Sequence, residues 1–229
     1  MKKSVIGSVV AAVFSMGTST AANAALASSA ILDFSDSVNA CVIGGTYPNC
    51  DHEITTVTGS YFGMDTSGDQ IIQDSEKNAL TSAGTGITLG TAQGVGEIDM
   101  TWSFGGNEGN HYSKQGLSVV SAAGNTASID MTGWTIFWGG GDIDLGQGTD
   151  SSDHFATVTC AVDCSVGDSF VLDYTAIVQS PGTLNGFFYA LHLEGTVAAV
   201  PVPAAVWLFG SGLAGLVTVA RRRNLFIST

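Results

Sequence analysis

Basic residues are almost missing from the body of this 229-residue chain. All twenty acidic residues lie between Asp33 and Glu194, against only two lysines, Lys77 and Lys114, so that stretch carries a formal charge of −18. Such a surface repels nucleic-acid phosphates and anionic lipid head groups, and favours solubility and divalent cations. Proline is scarce at four residues, and helix-forming patterns are few, the best being the short stretch Ser75 to Ser82. The usual enzyme signatures are also missing. No Gly-x-Ser-x-Gly lies between residues 25 and 199, so a nucleophile-elbow hydrolase has no support. His52, His111, His154 and His192 are scattered and none belongs to a His-Glu-x-x-His helix. No glycine loop for phosphate and no cofactor motif occurs. With twenty acids some carboxylate pair is always available, so acid pairs alone say nothing of glycoside hydrolysis.

Period-two alternation is what the chain does have. Ile98, Met100, Trp102 and Phe104 alternate with Asp99, Thr101 and Ser103. Phe170, Leu172, Tyr174, Ala176 and Val178 do the same, as do Phe187, Tyr189, Leu191 and Leu193, with His192 and Glu194 on the opposite face. This pattern predicts strands with one buried and one wet face. Shorter strands are expected at 53–58, 87–91, 117–121, 126–131, 134–138 and 155–160, punctuated by turns such as Gly124-Asn125 and Gly167-Asp168. Residues 25–199 therefore read as one acidic all-β domain, an antiparallel β-sandwich or jelly roll. Its last strand, Gly186 to Val197, leads straight to the C-terminal tail.

Four cysteines, Cys41, Cys50, Cys160 and Cys164, allow three connectivities. Turn-like residues inside each close pair favour the local pairs, Cys41 with Cys50 and Cys160 with Cys164. A four-thiolate zinc site has the wrong spacing for C-x2-C knuckles.

Both ends carry export features. Lys2 and Lys3, an apolar stretch from Ser4 to Met16, and Ala22-Asn23-Ala24 read as a signal peptide cut by signal peptidase after residue 24. An oxidising compartment beyond the membrane suits disulfides rather than free thiolates. Residues 200–229 open with Val200, Pro201, Val202, Pro203, Ala204 and Ala205, then run through Trp207, Gly210 and Gly212 without charge to Ala220. The uncharged stretch from Ala204 to Ala220 would span about 26 Å as a helix, close to the roughly 30 Å of a bilayer core. Arg221, Arg222 and Arg223 close it and belong on the cytoplasmic side, which places the domain outside. The expected element is a single C-terminal transmembrane helix. This order of proline motif, apolar span and arginine cluster resembles the PEP-CTERM sorting signal of Gram-negative bacteria. Val202 stands where that family's name expects glutamate, so the tail is similar to a Val-Pro-x-Pro variant. The resemblance covers about a tenth of the chain. It implies recognition by an exosortase, a membrane cysteine protease, and passage from an inner-membrane intermediate to the cell surface or extracellular matrix.

Two internal stretches are candidate ligand sites. Asp65 to Glu76 places oxygen side chains at loop positions 1, 3, 5, 9 and 12, through Asp65, Ser67, Asp69, Gln73 and Glu76, with the Ile71 carbonyl at position 7. This resembles an EF-hand calcium loop. It departs from the family at position 6, where Gln70 replaces the turn glycine, and Lys77 to Leu80 would begin an exit helix. The second stretch holds Trp134, Ile136 and Trp138 on one strand face, followed by Asp142 and Asp144. Facing outward, Trp134 and Trp138 would stack sugar rings while Asp142 and Asp144 accept hydroxyl hydrogen bonds. Facing inward they are core, the orientation that a sandwich favours. The expected function is that of an exported, exosortase-processed, non-enzymatic matrix or surface protein associated with exopolysaccharide, biofilm or floc. A carbohydrate- or calcium-binding module is the alternative, and a secreted hydrolase ranks last.

Overall fold

Strands form where alternation lets one face leave water, and hairpins form where glycine supplies the turn. The computed structural model describes residues 26–41, 45–46, 49–50, 55–150, 153–179 and 184–201, with Phe209 and Ser211. β1 (Ala30–Phe34) and β2 (Val38–Cys41) precede the two-residue strands β3 (Gly45–Thr46) and β4 (Asn49–Cys50), which pair with each other. β5 (Thr55–Thr58) returns along β2. β6 (Tyr61–Met64) and β7 (Lys77–Ala79) follow, then β8 (Ile87–Thr88). Three hairpins come next: β9 (Trp102–Phe104) with β10 (Asn107–Ser113), β11 (Ser118–Ala123) with β12 (Thr126–Asp130), and β13 (Trp134–Trp138) with β14 (Gly141–Asp144). β15 (Phe155–Cys160), β16 (Ser169–Ile177) and β17 (Phe188–Ala199) complete the domain. Gly105-Gly106 and Gly139-Gly140 close two of the hairpins with positive φ at both residues, between 57° and 86°. Two-residue turns of this kind match the twist of the strands they join.

The strands make two main antiparallel sheets. The larger has nine strands, with a path β11-β12-β15-β16-β17-β1-β8. The smaller runs β14-β13-β10-β9. β17 is long enough to serve three neighbours. One edge pairs with β16 along nine residues, while the other pairs with β6 through Tyr189–His192 and with β1 through Gly195–Ala199. Where β17 crosses β1 only glycine fits, because a Cβ on Gly195 would lie 2.1 Å from the Asp33 carbonyl oxygen.

Residues from both sheets share one core, including Leu32, Phe62, Ile129, Val158, Leu172, Tyr189 and Leu191 from the larger and Trp134 and Ile136 from the smaller. Trp134 Nε1–H donates to the Tyr189 hydroxyl at 3.2 Å, and Phe62 packs on Trp102 with ring centroids 4.4 Å apart, so the sheets touch through side chains. This all-β, antiparallel arrangement is consistent with the expected β-sandwich. Between Leu26 and Pro201 the described residues hold one 3-10 turn, Asp74–Glu76, and no α-helix.

Two expectations are corrected. Lys77 to Leu80 does not begin a helix: Lys77–Ala79 pairs with Tyr61–Gly63, and Leu80 is buried. The run from Ile98 to Phe104 does not keep its alternation. Asp99 is fully buried and Met100 exposed, and only Trp102–Phe104 is strand.

Cys160 and Cys164 form the expected local disulfide, with Cα atoms 5.2 Å apart. It closes the turn after β15. There the Asp168 carboxylate accepts N–H bonds from Val162, Asp163 and Cys164 at 2.9–3.0 Å. These donors, led by Val162, hold the Asp168 carboxyl below the usual range against the cost of burial. A bridge over so short a loop restrains the unfolded chain little. Replacing both cysteines by alanine is expected to lower unfolding stability by roughly 2 kcal/mol, read from urea denaturation. The Cys41–Cys50 pairing lies outside the described side chains.

Candidate functional site

The sorting-signal residues divide at the end of β17. Val200 is exposed and Pro201 follows it at the surface. Val202, Pro203, Ala204, Ala205, Trp207, Gly210, Gly212, Arg221, Arg222 and Arg223 lie outside the described residues, as does the 1–24 segment. Among the described residues no helix is long and apolar enough to cross a membrane.

The Asp65 to Glu76 loop folds around its two end carboxylates. Asp65 is buried, and its Oδ1 accepts from Ser67 Oγ–H at 3.0 Å and Gly68 N–H at 2.6 Å. Its Oδ2 accepts from Gln70 N–H at 2.6 Å. Glu76 Oε1 accepts from the N–H groups of Thr66 and Ser67 and from the Thr66 hydroxyl, and its Oε2 accepts from Gln73 N–H at 3.1 Å. Burial raises the cost of both charges, but these donors outweigh it and hold both carboxyls below their usual range. Gln70 has φ 62°, so it takes the left-handed turn that glycine would supply at loop position 6. Ile72 covers β6 at Gly63, where a Cβ would come within 2.2 Å of Ile72 Cγ2. Asp69 is occupied locally as well, accepting from Ile71 N–H and from Gln73 Nε2–H. The loop therefore turns as the spacing requires, yet spends its carboxylate oxygens on its own N–H groups. A cation would have to displace them. Among the described residues no group of three or more His, Cys, Asp or Glu is placed to hold a metal ion.

The tryptophan face turns inward, the orientation that a sandwich favours, and so offers no outward platform for sugar rings. Trp134 is only 1% exposed and stacks on His111, with centroids 5.2 Å apart and planes 14° apart. Trp138 packs against the core edge beside Phe104 and donates Nε1–H to the Phe104 carbonyl at 3.0 Å. Asp142 lies 3.3 Å from Lys114 Nζ and accepts from the Tyr112 hydroxyl, whose pKa rises through burial and this bond. Asp144 accepts Gly146 N–H at 2.9 Å. The four residues do not converge on one exposed site.

Beneath Trp134 lies a buried polar chain that the sequence reading did not foresee. Asp99 Oδ1 accepts His111 N–H at 2.9 Å, and Oδ2 accepts Trp102 Nε1–H at 3.1 Å. Oδ2 also lies 2.5 Å from His111 Nδ1, and His111 Nε2 lies 3.0 Å from the Tyr189 hydroxyl. The partners assign the tautomer: Nδ1–H donates to Asp99, Nε2 accepts from Tyr189, and Tyr189 accepts from Trp134. Burial pushes the Tyr189 pKa well above its usual value, which keeps that hydroxyl a donor. Asp99 and His111 are at most 1% exposed, so substrate cannot reach them. This Asp-His-Tyr chain ties buried residues of the two sheets together within the core.

A second cluster sits on the outward face of the large sheet. His192 Nδ1 is 2.7 Å from Asp173 Oδ1, and its Nε2 is 3.1 Å from Glu194 Oε1. Tyr61 stacks on the imidazole at 5.0 Å, and Lys77 Nζ lies 4.8 Å from the Tyr61 ring centre while pairing with Asp74. The Asp173 hydrogen bond raises the His192 pKa; desolvation opposes it, and Glu194 adds to the rise. The outward positions of His192 and Glu194 were visible in the alternation. Their meeting with Asp173 depends on the β16–β17 register, which alternation does not supply. With its pKa raised in the fold, His192 contributes stability that is full below its unfolded value near 6.5 and is lost as pH rises through the folded value. An NMR titration of its ring protons is expected to show a midpoint above 6.5. His192→Gln should remove that alkaline loss of stability.

Comparison with protein families, curated proteins and solved structures finds no match to this chain.

Proposed function

We propose that this chain is an exported, non-enzymatic surface or extracellular-matrix protein, processed by an exosortase and associated with exopolysaccharide, biofilm or floc. One observation carries the reading: the proline motif begins as the last core strand ends. β17 stops at Ala199, and Val200 is 42% exposed. A cut at or after this point would release the tail and leave every strand of the two sheets in place. The Cys160–Cys164 bridge suits an oxidising compartment. The −18 charge of residues 33–194 suits a soluble particle that stays apart from its copies once freed.

The test is the intact mass and the terminal peptides of the protein from its native host, beside an exosortase-deficient strain. The expected mature form starts at Ala25 and lacks Trp207 to Arg223 only in the competent strain. A tail retained in both strains would make the protein an ordinary membrane-anchored domain and remove the matrix reading.

A further inference from the structure

The outward face of the large sheet carries a groove of about 570 Å3 across β15, β16 and β17, with Ser35 at its side. Four hydroxyls, from Ser35, Thr159, Ser169 and Thr196, line it together with the Glu194 carboxylate. Val171 and Ala161 add apolar surface between them. Beside the groove the sheet register sets Thr157, Asp173, His192 and Tyr61 in one row, a polar side chain from each of four neighbouring strands. The adjoining row holds Thr126, Thr159, Val171 and Glu194.

The chemistry of this face selects its ligand. Asp173 and Glu194 repel anions, and the nearest lysine, Lys77, is already paired with Asp74. A metal ion is poorly served, because the two carboxylates bond opposite nitrogens of His192 and so do not converge. Hydroxyls both donate and accept, as sugar hydroxyls do. Neighbouring strands stand about 4.8 Å apart, close to the length of one ring in an extended pyranose chain. A polymer lying across the strands would thus meet one polar side chain per sugar.

We propose that this face, from the groove to Tyr61, binds a neutral polysaccharide laid across β15, β16, β17 and β6. The proposal rests on the matrix reading for its setting and adds the polymer's charge class and the residues that meet it. Native gels cast with hydroxyethyl cellulose or galactomannan, and parallel gels cast with the polyuronate alginate, test it on the exported protein. The neutral polymers are expected to retard the protein and alginate to leave it unretarded. The double variant Thr157→Val with Thr159→Val loses two outward hydroxyls and keeps the strand-forming shape. It should melt like the parent and bind roughly tenfold more weakly. Three results each overturn the proposal: no retardation by either neutral polymer, equal retardation of parent and variant, or retardation by alginate alone. Failure here leaves the terminal-peptide result standing, since that measurement reads the tail and this one reads the sheet.

Discussion

Asp99→Ala is expected to cost the domain about 3–5 kcal/mol of unfolding stability, among the larger single-residue losses a fold shows. The change removes the shared acceptor of His111 N–H, His111 Nδ1–H and Trp102 Nε1–H in one step. The site excludes water, so His111 N–H would carry its full desolvation penalty, and Trp102 Nε1–H would keep only His111 Nδ1, 3.2 Å away, once the imidazole proton moves to Nε2. Asp99→Asn should cost less. Its carbonyl can still accept His111 N–H, and its amide can donate to Nδ1 once the imidazole moves its proton to Nε2 and donates to Tyr189. Trp102 Nε1–H then loses its best acceptor, so the asparagine variant falls between parent and alanine. Urea denaturation of the three proteins at pH 7 checks the order. Equal stability of all three would mean that the Asp99–His111–Tyr189 chain is not closed in solution.

Trp134→Ala is expected to lose a similar amount, about 3–5 kcal/mol, through the cavity it leaves. Trp134 is 1% exposed, stacks on His111 and supplies a hydrogen bond to Tyr189, so the change strikes both sheets. Trp134→Phe should keep most of the filling and lose less. The opposite outcome, unchanged denaturation with lost binding to sugars, would restore the outward platform that the sequence left open. Neither variant touches the outward hydroxyl rows, so stability and polysaccharide binding can be measured apart.

Much of the sheet was legible from alternation because a half-buried strand must alternate. The spans of β13 and β15 match the pattern, and β16 and β17 differ from it by a residue or two at their ends. The pattern failed where a polar residue turns inward for a distant partner. Asp99 reads as an outward residue until His111, twelve positions later, is brought against it. It failed again at β7, whose three half-buried residues Lys77, Asn78 and Ala79 carry no apolar rhythm and are held by pairing with β6. In the Asp65 to Glu76 loop, residue spacing foretold the turn but not the destination of the oxygens. Backbone N–H groups are invisible in a sequence and are the partners those carboxylates took. The outward cluster of Asp173, His192 and Glu194 was half-visible: two members were placed on the wet face, and the third waited on register.

Among the described strands β17 is the last in the chain and the one with the most neighbours, since β1, β6 and β16 all pair with it. During synthesis β1, β6 and β16 emerge before the strand that joins them. The pairing of β1 with β17 joins Ala30 to Ala199, nearly the whole length of the domain. Such long loops close slowly. The large sheet is therefore completed late, after the C-terminal strand is free, and until then its unpaired edges are open to mispairing. A chain built this way gains from emerging slowly and from carrying a high negative charge, which keeps waiting copies apart.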